Sequence, residues 1–77
     1  MTKKIIVYYT NTCPYCHMAM DYIKEKGMDI EAVNLSEDQS RIQEMVAKSG
    51  QMGVPVIDID GTIIVGFNKE AIDQALS

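Results

Sequence analysis

Two cysteines, Cys13 and Cys16, are the only thiols of the 77-residue chain, and they stand in the order Cys13-Pro14-Tyr15-Cys16. A thiolate is the nucleophile of disulfide exchange, and a second thiol three residues on can resolve the mixed disulfide that the first one forms. A helix N-terminus suits such a pair. Its first N–H groups are unpaired and the helix dipole is positive there, so a thiolate at Cys13 is held below the free value of about 8.5. Cys16 falls on the same helix face one turn deeper, where it is expected to be more buried and less acidic. Pro14 supplies no N–H and fixes the turn, and Tyr15 sets an aromatic ring beside the attacked sulfur. A tetrahedral zinc site needs four ligands, and the chain offers two cysteines and one histidine, His17, so no closed metal site is expected within one chain. A cluster shared between two chains stays open. His17 could serve as a base, but its simplest reading is a solvated helix residue.

Two further segments could meet a ligand. Gly53-Val54-Pro55 opens a strand, and an X-Pro bond at a strand start can be cis. A cis bond would turn the Val54 backbone outward, where an extended substrate could add to it as a strand beside Cys13. The plainer alternative is a trans proline at a sheet edge. Gly66-Phe67-Asn68 is a glycine turn that runs into a helix start, a place that binds anions and would suit the carboxylate of a peptide ligand. The plainer alternative is a capped turn. The six methionines read as core filler, except Met52 beside the proposed groove.

The elements that must position these residues are readable from period and punctuation. Residues 4–9 are apolar and β-branched or aromatic after Lys4, as in a central strand covered on both faces. Thr10-Asn11-Thr12 is a loop. A helix starts near Cys13 with Pro14 in its first turn, carries Cys16, Ala19, Met20 and Ile23 on one face, and stops at Gly27. Residues 30–35 predict a second strand. Ser36 is expected to cap a second helix with Gln39 completing a capping box, Ile42, Met45, Val46 and Ser49 forming the stripe and Gly50 the stop. Val56–Ile59 and Thr62–Val65 flank Asp60-Gly61, a strong two-residue hairpin signal. Asn68 caps a last helix with Ala71, Ile72, Ala75 and Leu76 inward. The order β-α-β-α-β-β-α gives an α/β fold: a four-stranded mixed sheet with helices on both faces, the first two strands parallel and the last two a hairpin.

Length bounds the rest. Residues 1–77 make one domain, and a domain this small buries only about 60% of its unfolded surface. With 47% apolar residues the chain is globular rather than disordered, and no apolar run nears the roughly 18 residues of a membrane span. A net charge of −4 with scattered acids argues against nucleic-acid binding by a basic patch. The start Met1-Thr2-Lys3-Lys4 mimics a signal peptide, but the apolar stretch after it is too short and has no cleavage site, so a cytoplasmic protein is expected. Lys3-Lys4 reads as a charged edge ahead of the first strand. In a reducing cytosol a lone cysteine pair is catalytic or metal-binding rather than a staple.

Thr12-Cys13-Pro14-Tyr15-Cys16-His17, Val54-Pro55, Ile59-Asp60-Gly61 and Gly66-Phe67 together resemble the glutaredoxins, in order and with the right spacings over essentially the whole chain. The resemblance implies a thioredoxin-like fold and a glutathione-linked thiol-disulfide oxidoreductase in which Cys13 attacks and Cys16 resolves. It implies glutathione contacts at Tyr15, Val54, Pro55, Gly66, Phe67 and Asn68, with glutathione as co-substrate and no metal. It also implies disulfide-bearing proteins as substrates, and a monomer. The chain departs from the family where glutathione would be held. The loop Tyr9-Thr10-Asn11-Thr12 is a residue short and lacks the usual lysine, Gly53 replaces a threonine, and Asn68-Lys69 replaces an acidic or hydroxyl pair. The bare loop and Gly66-Phe67 are also similar to the NrdH-redoxins, which implies a second reading: reduction by the flavoenzyme thioredoxin reductase and service to ribonucleotide reductase. A third reading is a module that holds an iron–sulfur cluster between two chains through Cys13 and glutathione.

Overall fold

The computed structural model describes residues 4–77. The Met1-Thr2-Lys3 start, and with it the Lys3 half of the charged edge, lies outside the described residues. The elements are β1 (Ile5–Tyr9), α1 (Pro14–Glu25), β2 (Glu31–Asn34), a 3-10 turn at Gln39–Arg41 that leads into α2 (Ile42–Ser49), β3 (Val56–Ile59), β4 (Thr62–Val65) and α3 (Lys69–Leu76). The sheet runs β2-β1-β3-β4, with β1 parallel to β2 and antiparallel to β3, and with β3 and β4 antiparallel. The hairpin is the one the Asp60-Gly61 signal predicts. Both residues take positive φ, 53° and 96°, which Asp tolerates and Gly accepts freely.

Strand periodicity sorts the core into two layers. Ile5, Val7, Ile57, Ile59 and Ile64 face α1 and α3, where Ala19, Met20, Ile23 and Ile72 meet them. Ile6, Tyr8, Val33, Leu35 and Val56 face α2 and pack on Met45, with Ile42 and Val46 at the margin. Strand β1 contributes to both layers and pairs on both edges, as its unbroken apolar run predicts.

The register decides where the loops meet. Tyr9 pairs with Asn34, Tyr8 with Val56, and Val56 with Val65. The C-terminal ends of β1, β2 and β4 and the N-terminal end of β3 therefore share one end of the sheet. The loop after β1, the Val54-Pro55 approach to β3 and the Gly66-Phe67 turn after β4 all open there.

One expectation fails. Ser36 does not cap the second helix, and no capping box forms with Gln39. The 3-10 turn begins after Asp38 and the α-helix at Ile42, neither with a side-chain cap. The Ser36 hydroxyl is taken by a tertiary contact, accepting from the Asn11 amide at 3.2 Å. What holds α2 is partly polar. The Tyr8 hydroxyl donates to the Glu44 carboxylate and accepts from Lys48 Nζ at 2.9 Å, and Lys48 pairs with Asp58 at 2.9 Å. Arg41 bridges Glu44 at 2.8 Å and Glu31 at 3.3 Å.

Arg41, and after it the Tyr8 hydroxyl, hold the Glu44 carboxyl down from the usual 4.5 to about 2. A carboxylate with a depressed folded pKa stabilises the fold above its unfolded pKa, and that contribution is lost as pH falls toward the folded one. Urea unfolding near pH 6 and near pH 3 is expected to show wild type losing more stability across that interval than Glu44→Gln. Equal losses would assign the acid sensitivity to other carboxylates.

Candidate functional site

Helix α1 begins where its sequence says it should. Cys13 is the N-cap, with φ −104° and ψ 99°, and Pro14 occupies the first turn, where a missing N–H costs nothing. The Cys13 sulfur does the work of a capping oxygen, accepting from the Cys16 amide at 3.2 Å. Its own amide donates to the Thr10 carbonyl at 3.3 Å, and its carbonyl accepts from the His17 amide at 3.4 Å. Cys13 is half-buried and Cys16 fully buried, the asymmetry expected of an attacking and a resolving thiol. The two form a disulfide with their Cα atoms 5.3 Å apart. Tyr15 is exposed on the solvent side of the pair. His17 is exposed with its ring edge-on to Tyr9 at 5.8 Å, as a solvated helix residue would be.

The Val54–Pro55 bond is cis. Pro55 is buried, and its carbonyl accepts from the Gly66 amide at 2.8 Å, so the second and third segments are bonded to each other. Gly66 turns with φ 84°, a conformation that favours glycine. Asn68 then caps α3, its Oδ1 accepting from the Ala71 amide at 3.2 Å. The Asn68 side chain is exposed, and its NH2 is not needed for the cap. Phe67 packs edge-on to Tyr22 at 5.9 Å, and Lys69 Nζ lies 5.5 Å and 5.8 Å from the centres of the Tyr22 and Phe67 rings. These side chains, with Met18, Asp21 and Glu25, line an open groove of about 240 Å³ running back along α1. Met52, fully solvated at 71% exposure, stands two residues before Val54 and is no core filler.

The sheet thus brings Cys13, Val54-Pro55 and Gly66-Phe67-Asn68 to one end. Sequence reading passed over one other residue there. Asn34, at the end of β2, donates through Nδ2 to Asn11 Oδ1 at 2.7 Å and accepts through Oδ1 from the Ser36 amide at 2.9 Å. The available signal was a polar amide ending an apolar strand beside a serine. Among the described residues no group of three or more His, Cys, Asp or Glu side chains converges as metal ligands do.

The sequence model of the family Glutaredoxin matches residues 5–64. A protein of Clostridium pasteurianum described as an uncharacterized glutaredoxin-like 8.6 kDa protein in a rubredoxin operon is 49% identical over 72 residues, 94% of this chain and 96% of the relative. Glutaredoxin 3 of Escherichia coli K12 is 35% identical over 60 residues, 78% of this chain and 72% of the relative. Among solved structures, the glutaredoxin-like protein NrdH-redoxin from Escherichia coli superimposes with a TM-score of 0.82 at 24% identity, over 92% of each chain.

The Asn68 cap makes a measurable claim. Asn68→Ala removes it and is expected to cost about 1 kcal/mol in urea unfolding. Asn68→Asp keeps the capping oxygen and places a negative charge at the helix start, so it should match or exceed wild type. Equal stability of all three proteins would show that the cap is not holding α3.

Proposed function

The chain belongs to the glutaredoxin family and is a thiol-disulfide oxidoreductase of the thioredoxin-like fold, and from that premise we propose that glutathione supplies its electrons and Cys13 is its nucleophile. The observation that carries the reading is the seat of the Cys13 sulfur. It caps α1, takes the Cys16 amide at 3.2 Å and stays partly open to solvent. A charge on that sulfur is met by an N–H donor and by the positive end of the helix.

In this reading the Cys13 thiolate attacks one sulfur of a substrate disulfide. A bond forms between Cys13 and that sulfur, and the other sulfur leaves as a thiolate and takes a proton. Cys16, as thiolate, then attacks the Cys13 sulfur and expels the substrate's remaining thiol. The substrate has gained two electrons and the protein holds the Cys13–Cys16 disulfide. Two glutathione molecules reverse the change in two exchanges and leave as glutathione disulfide. Tyr15 flanks the reacting sulfur. The Val54-Pro55 segment offers backbone for strand addition. At the turn Gly66-Phe67-Asn68, the free NH2 of Asn68 and the first amides of α3 suit the γ-glutamyl carboxylate. The protein works as a monomer in the cytoplasm, where a lone pair of this kind is catalytic.

A second reading, reduction by a flavoenzyme such as thioredoxin reductase, has its own support. The loop before Cys13 carries no lysine, and Asn11 is engaged with Asn34. Lys69 also stands where the amine of glutathione would prefer an acid.

NADPH oxidation with a small mixed-disulfide substrate separates the two. Turnover with glutathione plus glutathione reductase, and none with thioredoxin reductase alone, is the expected outcome. The converse would hand the function to the second reading and empty the glutathione contacts of their role. In the same assay Cys13→Ser should abolish activity. Cys16→Ser should keep the reduction of glutathione mixed disulfides and impair that of protein disulfides. Loss of both activities in Cys16→Ser, with Cys13→Ser active, would reverse the two roles.

A further inference from the structure

The loop that carries Cys13 is short of backbone bonds of its own. Between the end of β1 at Tyr9 and Cys13, its internal backbone hydrogen bond is the one from the Cys13 amide to the Thr10 carbonyl, at 3.3 Å. A loop so lightly tied would let the Cys13 sulfur drift from the Cys16 amide. Three side chains close the gap. The Asn11 amide donates to Ser36 Oγ at 3.2 Å, the Ser36 amide donates to Asn34 Oδ1 at 2.9 Å, and Asn34 Nδ2 donates to Asn11 Oδ1 at 2.7 Å. The contacts make a closed ring, and each residue bonds to both of the others.

The ring is anchored on the sheet. Asn34 is the last residue of β2, in register with Tyr9, and the Leu35 amide continues that pairing to the Tyr9 carbonyl at 2.8 Å. The Asn34 carbonyl accepts from the Glu37 and Asp38 amides at 3.2 and 2.9 Å, so the segment after it is held as well. Asn34 uses both ends of its amide at once. A carboxylate there could not donate to Asn11 Oδ1, and a hydroxyl could not span both partners.

We propose that Asn34 and Ser36 are positioning residues for the thiol-disulfide exchange: by locking Asn11 they keep the Cys13 sulfur seated against the Cys16 amide. The inference rests on Cys13 being the nucleophile. Neither residue touches the reacting sulfurs, and both act through the loop. The ring also explains how a loop without lysine keeps one shape, since the bracing comes from β2.

The test is the pH profile of alkylation of the fully reduced protein by iodoacetamide, with the modified cysteine identified by mass spectrometry. The proteins are wild type, Asn34→Ala, Ser36→Ala and Ser36→Thr. None of these substitutions changes a charge, so a displaced profile reports the placement of the sulfur. Ser36→Ala removes one hydroxyl from an exposed residue and serves as the mild companion to Asn34→Ala, with circular dichroism to confirm that each is folded. Asn34→Ala and Ser36→Ala are expected to raise the midpoint of Cys13 alkylation by about half a unit to one unit, a three- to tenfold loss of thiolate on the acid side. Ser36→Thr, which keeps the Oγ acceptor, should follow wild type. Superimposed profiles for all four folded proteins, with Cys13 modified in each, would overturn the proposal and leave the nucleophile assignment standing. Modification of Cys16 ahead of Cys13 in wild type would overturn both.

Discussion

Strand β1 pairs along both edges and packs on both faces, and every functional segment takes its position from that strand's C-terminal end. A strand held on four sides cannot shift register without turning its apolar side chains over to the wrong layer. The loop that leaves Tyr9 therefore starts from a fixed point. Pairing Tyr8 with Val56 places the Pro55 approach beside that point, and pairing Val56 with Val65 places the Gly66 turn beside Pro55. The bond from the Gly66 amide to the Pro55 carbonyl then ties those two segments together at 2.8 Å. Three pieces of chain distant in sequence meet because one strand has no freedom.

The two faces of the sheet are secured by different physics. Against α1 and α3 the contacts are apolar, and fully burying a single Ile or Leu side chain is worth roughly 1.5–3 kcal/mol. Against α2 the sheet presents Tyr8, whose backbone and ring are buried while its hydroxyl meets charge. Leaving that hydroxyl buried without a partner would cost about 1–3 kcal/mol, so Glu44 and Lys48 chiefly prevent a loss. The ion pairs around them, partly exposed, add about 0–1 kcal/mol each. Helix α2 has eight residues and no side-chain cap, and a helix so short is marginal by itself. Met45 supplies its grip and the Tyr8 network its orientation. The burial of Tyr8 pushes its phenol up, as does the Glu44 contact, while Lys48 draws it down, so the hydroxyl stays protonated and can donate.

Where a local rule and the tertiary structure asked the same thing of a residue, the sequence was legible. Asp60-Gly61 turns its own hairpin, and the bond from the Asp60 amide to the Lys4 carbonyl at 2.8 Å asks nothing different of it. Pro14 and Cys13 had one helix to start, and Asn68 one to cap, and all appear as their types predict. Ser36 had two possible partners, and the nearer one in sequence lost. A serine followed three residues later by glutamine reads as a capping box, but its hydroxyl bonds to an amide 25 residues away. The Tyr8 contacts span 36 and 40 residues and leave no periodic trace. The Cys13, Val54-Pro55 and Gly66-Phe67-Asn68 segments were legible because each bears a short motif. The bracing of the Cys13 loop by Asn34 was not, because its two side-chain partners, Asn11 and Ser36, lie on two loops that only the sheet register brings together.

Asn68 caps α3 in a way that is compatible with the ligand contact proposed for it. Its Oδ1 is spent on the Ala71 amide, which an N-cap must do for α3 to begin there. Its NH2 remains, and an N–H donor at a helix start adds to the unpaired amides and the dipole in favouring an anion. Asp in its place would cap as well but would present a negative charge to a carboxylate ligand. Ser or Thr would cap with the hydroxyl oxygen and keep one weaker donor. Lys69 points the same way, its ammonium resting over Tyr22 and Phe67 at the mouth of the turn. Under the proposed function, the carboxylate end of a γ-glutamyl group would find donors and a cation here, and its amine would find neither an acid at position 68 nor one at 69. Glutathione bound in this way would be held at the turn by one half of a zwitterion, and the strand edge at Val54 and the sulfur itself would have to supply the rest of its hold.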